Sequence, residues 1–144
     1  MAAQVDDATA RGAKLLTGGR RIEGPGNWFA PTVLSDVDDN MTLMRDESFG
    51  PVIGVARVRS DDDAIAHMDD TDYGLGAAVF TADGARAERI LGRLDVGNAY
   101  WNTSDRSCVR LPWAGRRHSG TGVSMSAAGV RTFVREKAWH LATS

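Results

Sequence analysis

A carboxylate and an aromatic ring, Glu47 and Phe49, stand two residues apart in the run Glu47-Ser48-Phe49-Gly50-Pro51. Gly-Pro cannot continue a helix, so the pair sits on a turn that leads into the apolar stretch Val52 to Ala56. A hydrogen-bond acceptor beside a flat apolar face suits a flat, sugar-bearing ligand; the alternative is a surface turn entering a buried strand. The second place where chemistry is conceivable is Cys108, which has Arg106 and Arg110 around it and His118 further on. A positive field or a neighbouring base ionises a thiol and makes it a nucleophile, and without either it is an inert side chain on a mixed loop. Arg106, Arg110, Arg116 and Arg117 offer recognition of an acidic substrate, or else solvated charge or subunit contacts. One cysteine and three scattered histidines, His67, His118 and His140, show no metal-ligand spacing, so no metal site is expected.

These residues need a scaffold, and the spacing of apolar positions supplies one. Ser60 followed by Asp61, Asp62 and Asp63 has the form of a helix start, a side-chain acceptor for the first turn with acidic residues near the positive helix end. Ala64, Ile65 and Met68 then mark one helical face, with the stop expected near Tyr73-Gly74. Leu75 to Phe80 reads as a short strand. Ala87, Ile90, Leu91 and Leu94 repeat at i, i+3, i+4 and i+7, the clearest amphipathic helix in the chain, with Gly92 inside it. Val96 to Trp101 reads as the next strand. Strand, helix, strand, helix, strand from Val52 to Trp101 is the alternation that builds an α/β fold with a parallel sheet covered by helices.

Upstream, a helix is expected over Val5 to Ala13, ending at Gly12, then a strand at Leu15-Leu16 and an extended segment from Phe29 to Val37, where Pro31 opposes helix. Downstream, Asn102 to Ser124 reads as a long irregular loop, a feature that in a compact domain usually carries function. Val130, Phe133 and Val134 mark a last short helix, and Lys137 to Leu141 alternates as a terminal strand. Trp101 and Tyr100 read as core packing.

With 144 residues, 42% of them hydrophobic, the chain holds one globular core and not a two-domain enzyme. Lys and Arg number 17 against 19 Asp and Glu, a net charge of −2 without a basic block, which argues against nucleic acid and anionic membranes as partners. No apolar run approaches the roughly 20 residues of a bilayer span and the start lacks a signal peptide, so the expected location is cytoplasmic.

In chain order, Gly12 to Gly19, Phe29 to Leu34, Glu47 to Val52, Tyr73 to Thr81, Val96 to Asn102 and Leu111 to Gly120 resemble the C-terminal part of the aldehyde dehydrogenase superfamily. The resemblance implies an open, mainly parallel α/β sheet with covering helices: residues 1–136 as a partial catalytic domain, 137–144 as an oligomerisation strand. It implies oxidation of an aldehyde substrate to an acid through a cysteine thiohemiacetal, with hydride passing to NAD or NADP. Glu47 would accept hydrogen bonds from the nicotinamide ribose hydroxyls and Phe49 would pack beside the nicotinamide. Asp105, Ser107 and Trp113 fall where the family lines its aldehyde tunnel, with Cys108 in the same loop.

The family's cysteine nucleophile, general-base glutamate, oxyanion-hole asparagine and Rossmann glycines all correspond to positions before Met1. No catalytic residue is therefore assigned here, and the chain alone is expected to be inactive. A homo-oligomer or a complementary N-terminal half is the expected partner. Two departures from the family pattern stand out, Ala114 for a usual glycine and Ser124 where many members have glutamate. The alternatives are a noncatalytic interaction protein that keeps the fold and the subunit-pairing surface, and a small hydrolase using Cys108.

Overall fold

A computed structural model describes residues 1–104 and 106–142. The chain forms two compact units, Met1–Asp70 and Thr71 onward. In the first, α1 (Ala2–Ala10), β1 (Lys14–Thr17), β2 (Thr32–Ser35), α2 (Thr42–Arg45), β3 (Val52–Val55) and α3 (Asp61–Asp69) follow in order. Strands β1 and β2 pair antiparallel and β2 and β3 pair parallel, with Thr32 opposite Val52 and Ser35 opposite Val55. The core lies where Val5 and Ala8 of α1 meet Leu34 of β2, Val37, Met41 and Leu43. Alternation along β2 explains this: Thr32 and Leu34 point inward, Val33 and Ser35 are half-buried.

Thr32 is buried, and its hydroxyl is satisfied twice, donating to the Ala30 carbonyl (2.7 Å) and accepting from the Gly19 N–H (2.8 Å). That close approach requires Gly18, whose φ is +77° and whose absent Cβ would lie 2.2 Å from the Pro31 carbonyl oxygen. Asp7 joins α1 to α2: one carboxylate oxygen accepts from the Thr42 N–H (2.9 Å) and hydroxyl (3.0 Å), supplying a partner at the start of α2. The Arg11 guanidinium, with these bonds from Thr42, holds the Asp7 carboxyl below its ordinary range.

Helix α3 starts as its sequence requires. Ser60 Oγ accepts from the Asp63 N–H (3.1 Å), and the Asp63 carboxylate reaches back to the Arg59 N–H (2.9 Å), a reciprocal cap displaced by one residue from the usual box. The helix stops at Asp69 rather than at Tyr73-Gly74, because residues 71–75 are used to meet a later loop. The first helix is likewise shifted, spanning Ala2–Ala10 and leaving Gly12, at φ +105°, outside it.

The second unit contains β4 (Gly76–Val79), α4 (Gly84–Leu91), β5 (Asn98–Trp101), β6 (Trp113–Ala114), β7 (Val123–Ser124) and α5 (Ser126–Arg131). β4 and β5 form a parallel ladder joined by α4, a βαβ unit, and β6 pairs antiparallel with β7. Asp83 caps α4 by accepting from the Arg86 N–H (3.0 Å); Ala87, Ile90 and Leu94 are buried. Gly92 is the C-cap, not an interior residue, and so does not weaken the helix. Trp101 is half-exposed and lies on the surface, its indole N–H donating to the Thr81 carbonyl (2.9 Å), which corrects its reading as core. Residues 137–142 are exposed and form no ladder with the described residues of this chain.

Candidate functional site

Two groups of residues are built in different ways. In the first unit, backbone hydrogen bonds hold the turn before β3: the Gly50 N–H donates to the Ser48 carbonyl (3.0 Å), the Val52 N–H to the Gly50 carbonyl (2.8 Å), and the Thr32 N–H to the Pro51 carbonyl (2.8 Å). Parallel pairing of β3 with β2 thus anchors the far end of the turn. Glu47 is exposed and makes no hydrogen bond or ion pair with another described residue. Phe49 is 92% exposed. A carboxylate with its lone pairs open to solvent and an uncovered ring two residues away are a donor-seeking edge and an apolar face without an intramolecular partner. Such a pair fits a ligand that carries hydroxyl groups and a flat ring.

In the second unit, the loop after β5 is held by side chains. Asn102 leaves the strand with φ +53°, and its amide pairs with Thr81 in both senses, accepting from the N–H (2.9 Å) and donating to the carbonyl (3.0 Å). Asn98 donates to the carbonyls of Leu75 (2.8 Å) and Ala114 (2.8 Å), tying β5 to the start of β4 and to β6. The Gly74 carbonyl receives the N–H groups of both Gly97 (2.9 Å) and Arg116 (3.0 Å), and the Gly74 N–H donates to Ser119 Oγ (3.0 Å). Gly97 sits so close to β6 that a Cβ there would lie 1.8 Å from the Ala114 carbonyl oxygen.

Between β5 and this loop lies a cavity of about 230 Å³, walled by Tyr100, Arg106, Cys108, Leu111, Pro112 and Trp113 among others. Trp113 is half-buried and lines this cavity. Ser107 is exposed and does not line this cavity, its neighbours on either side doing so instead; Asp105 lies outside the described residues. Hydrogen bonds from Arg110, and the Arg106 charge behind them, hold the Cys108 thiol below its usual range. Among the described residues lining the cavity none is a base for that thiol: His118 lies edge-on to Tyr73 (centroids 6.4 Å apart), donates its backbone N–H to the Asp72 carbonyl and does not line the cavity. The nucleophile and base of the hydrolase alternative are therefore not assembled.

The comparisons with known proteins cover both groups. Residues 1–139 match the aldehyde dehydrogenase family. The chain belongs to that family. It is 44% identical, over 135 residues, to a succinate-semialdehyde dehydrogenase [NADP(+)] of Deinococcus radiodurans, covering 94% of this chain and 28% of that protein. A solved lactaldehyde dehydrogenase superposes with a TM-score of 0.94 at 31% identity, over 99% of this chain and 30% of that one. A betaine aldehyde dehydrogenase from Staphylococcus aureus, solved in complex with NAD+, superposes with a TM-score of 0.82 at 30% identity, over 92% of this chain and 28% of the other. The chain thus spans less than a third of the length of the aldehyde dehydrogenases it matches.

The α/β architecture with parallel ladders agrees with the family. What the sequence did not disclose is that Tyr100 and Arg106 would face the same cavity as Cys108 and Trp113. The signal that could have shown it was alternation: in β5, Asn98 and Tyr100 are half-buried while Ala99 and Trp101 are exposed. Nor did it disclose an open apolar concavity of about 840 Å³ along α5, lined by Val130, Phe133 and Val134.

Proposed function

We propose that this chain contributes the nicotinamide-ribose contact and one wall of the aldehyde passage to an NAD(P)-dependent aldehyde dehydrogenase, and that it carries none of the covalent chemistry by itself. The observation that supports this most is the turn before β3, where family membership over residues 1–139 coincides with an unpartnered Glu47 and an uncovered Phe49. Glu47 would accept hydrogen bonds from the two vicinal ribose hydroxyls, and Phe49 would shield one side of the nicotinamide from water. When bound, NAD or NADP would supply the hydride acceptor for oxidation of the aldehyde. Trp113, with Asp105 and Ser107 in the same loop, would shape the aldehyde passage. Residues 137–144 would pair with a second chain as a strand, giving a homo-oligomer.

A second reading, an interaction protein without turnover, draws on the exposed apolar residues just after α5, where Phe133 is 90% and Val134 64% exposed. One assay separates the two. Aldehyde-dependent reduction of NAD or NADP is followed with this chain alone and with the chain combined with a separately produced N-terminal half. The combination is expected to turn over and the chain alone is not. In the combined enzyme Glu47→Gln is expected to raise the cofactor KM about tenfold or more, since hydrogen bonds to a charged acceptor contribute roughly 1.5 to 3 kcal/mol each. An unchanged cofactor KM and turnover returns Glu47 to a surface turn; no turnover in any combination favours the interaction protein.

A further inference from the structure

The cavity beside β5 has a chemical character that narrows the aldehyde. It is lined by the aromatic residues Tyr100 and Trp113, by Leu111 and Pro112, and by Cys108 and Arg106. Arg106 makes no hydrogen bond or ion pair with another described residue. Among the described residues lining the cavity it is the one formal charge, and no described carboxylate lines the space to offset it. Asn98, the other strongly polar side chain there, already spends both amide hydrogens on the Leu75 and Ala114 carbonyls. Arg106 is itself exposed, and a guanidinium beside apolar and aromatic side chains offers an anion a charge-assisted, two-point contact. The volume, about 230 Å³, lies below the usual range of pockets for drug-sized ligands and equals about eight water volumes at roughly 30 Å³ each, which suits a short chain.

We propose that Arg106 is a specificity-determining residue that binds a carboxylate at the far end of a short aldehyde, so that the substrate class is the semialdehyde of a dicarboxylic acid. The inference rests on the aldehyde dehydrogenase reading above. The fork of N–H donors on Arg106 matches a carboxylate in two-point contact, while Trp113 and Leu111 cover the methylene chain. A neutral aldehyde of equal length would fill the same apolar space and leave the guanidinium unpaired, the situation in which a site discriminates most strongly.

Cys108 provides a readout that needs no turnover. It is the only cysteine in the chain and lies in the same cavity as Arg106, so its alkylation reports occupancy. Iodoacetamide labelling of the chain is followed by mass spectrometry with and without succinate, and each variant is normalised to its own rate without ligand, because Arg106 also acts on the thiol. Succinate is expected to slow labelling of the wild type several-fold, to have little effect on Arg106→Gln and an intermediate effect on Arg106→Lys, and to protect Arg135→Gln, whose side chain does not line the cavity, as fully as the wild type. Succinamide is expected not to protect. Equal protection by succinamide, equal protection of Arg106→Gln, or no protection of the wild type overturns the proposal.

In the combined enzyme, kcat/KM for succinic semialdehyde over butanal is expected to exceed about tenfold and to fall about tenfold or more in Arg106→Gln, through KM. Oxidation of butanal as readily as the semialdehyde overturns the role of Arg106 while leaving the aldehyde dehydrogenase reading intact. Failure to oxidise any aldehyde removes both.

Discussion

The two candidate regions differ in how much of the chain serves to hold them. The turn from Glu47 to Pro51 is held by three backbone hydrogen bonds, and its candidate side chains, Glu47 and Phe49, stand exposed. The loop from Asn102 to Trp113 is bounded by side-chain hydrogen bonds, Asn102 to Thr81 at its start and Asn98 to Ala114 just past its end, and several of its residues line a cavity. The lesson concerns separability: the exposed Glu47 and Phe49 are open to substitution with little cost to the fold, whereas the cavity lies among the residues that hold β5 to β6. A ligand that lies flat on a surface needs a rigid backbone and free side chains, and a ligand that enters a cavity needs walls that pack on one another.

The largest effect expected from breaking this contrast is at Gly97. A methyl group there would lie 1.8 Å from the Ala114 carbonyl oxygen, so β5 and β6 must separate. Gly97→Ala is expected to destabilise the second unit by about 3 kcal/mol or more in denaturant unfolding. Gly122→Ala, with nothing within 4 Å of the new methyl, serves as the control and is expected to change little.

The next effect compares the two aromatic residues directly. Phe49→Ala is expected to leave the melting temperature almost unchanged, because the ring is 92% exposed, while weakening cofactor binding in the combined enzyme. Trp113→Ala is expected to lower stability by about 1 to 3 kcal/mol and to shift preference toward bulkier aldehydes, with cofactor affinity nearly intact. A reversed pattern, with Phe49 governing stability and Trp113 governing only the cofactor, would erase the distinction between the regions.

The smallest effect belongs to the helix start at Ser60. Hydrogen bonds from Arg59, side chain first and backbone second, lower the Asp63 pKa from 3.8 to about 2, with His67 adding a smaller electrostatic contribution. A carboxylate with a depressed folded-state pKa contributes stability that is fully present above pH 3.8 and is lost as pH falls towards about 2. Asp63→Asn is therefore expected to lower the melting temperature slightly near neutral pH, and the difference from the wild type is expected to vanish below about pH 2. A pH-independent difference would assign the effect to packing.

Local signals in the sequence were sufficient for elements whose determinants are close in the chain. Ser60 and Asp63 set the start of α3, Asp83 that of α4, and the spacing of Ala87, Ile90 and Leu94 chose its buried face. The order of short motifs was enough to identify the family, which residues 1–139 match. Chain ends of elements were less legible. Nothing near residues 71–75 in the chain shows that their backbone groups bond to Arg116, His118 and Ser119, and so α3 was expected to run on to Tyr73-Gly74.

What the sequence determined by itself is a set of parts: the α3 start with its Ser60 cap, the amphipathic face of α4, the parallel βαβ unit, the family, and the Glu47-x-Phe49 turn. Tertiary structure alone decided the assembly of the second site. It placed Arg106, Tyr100 and Trp113 around one cavity with Cys108 while turning Ser107 outward and drawing His118 to Tyr73. The physical reason is range. Caps and periodic faces are fixed by residues within about one or two helical turns, whereas a loop takes its shape from distant hydrogen bonds such as Asn98 to Ala114, whose partners no local pattern names.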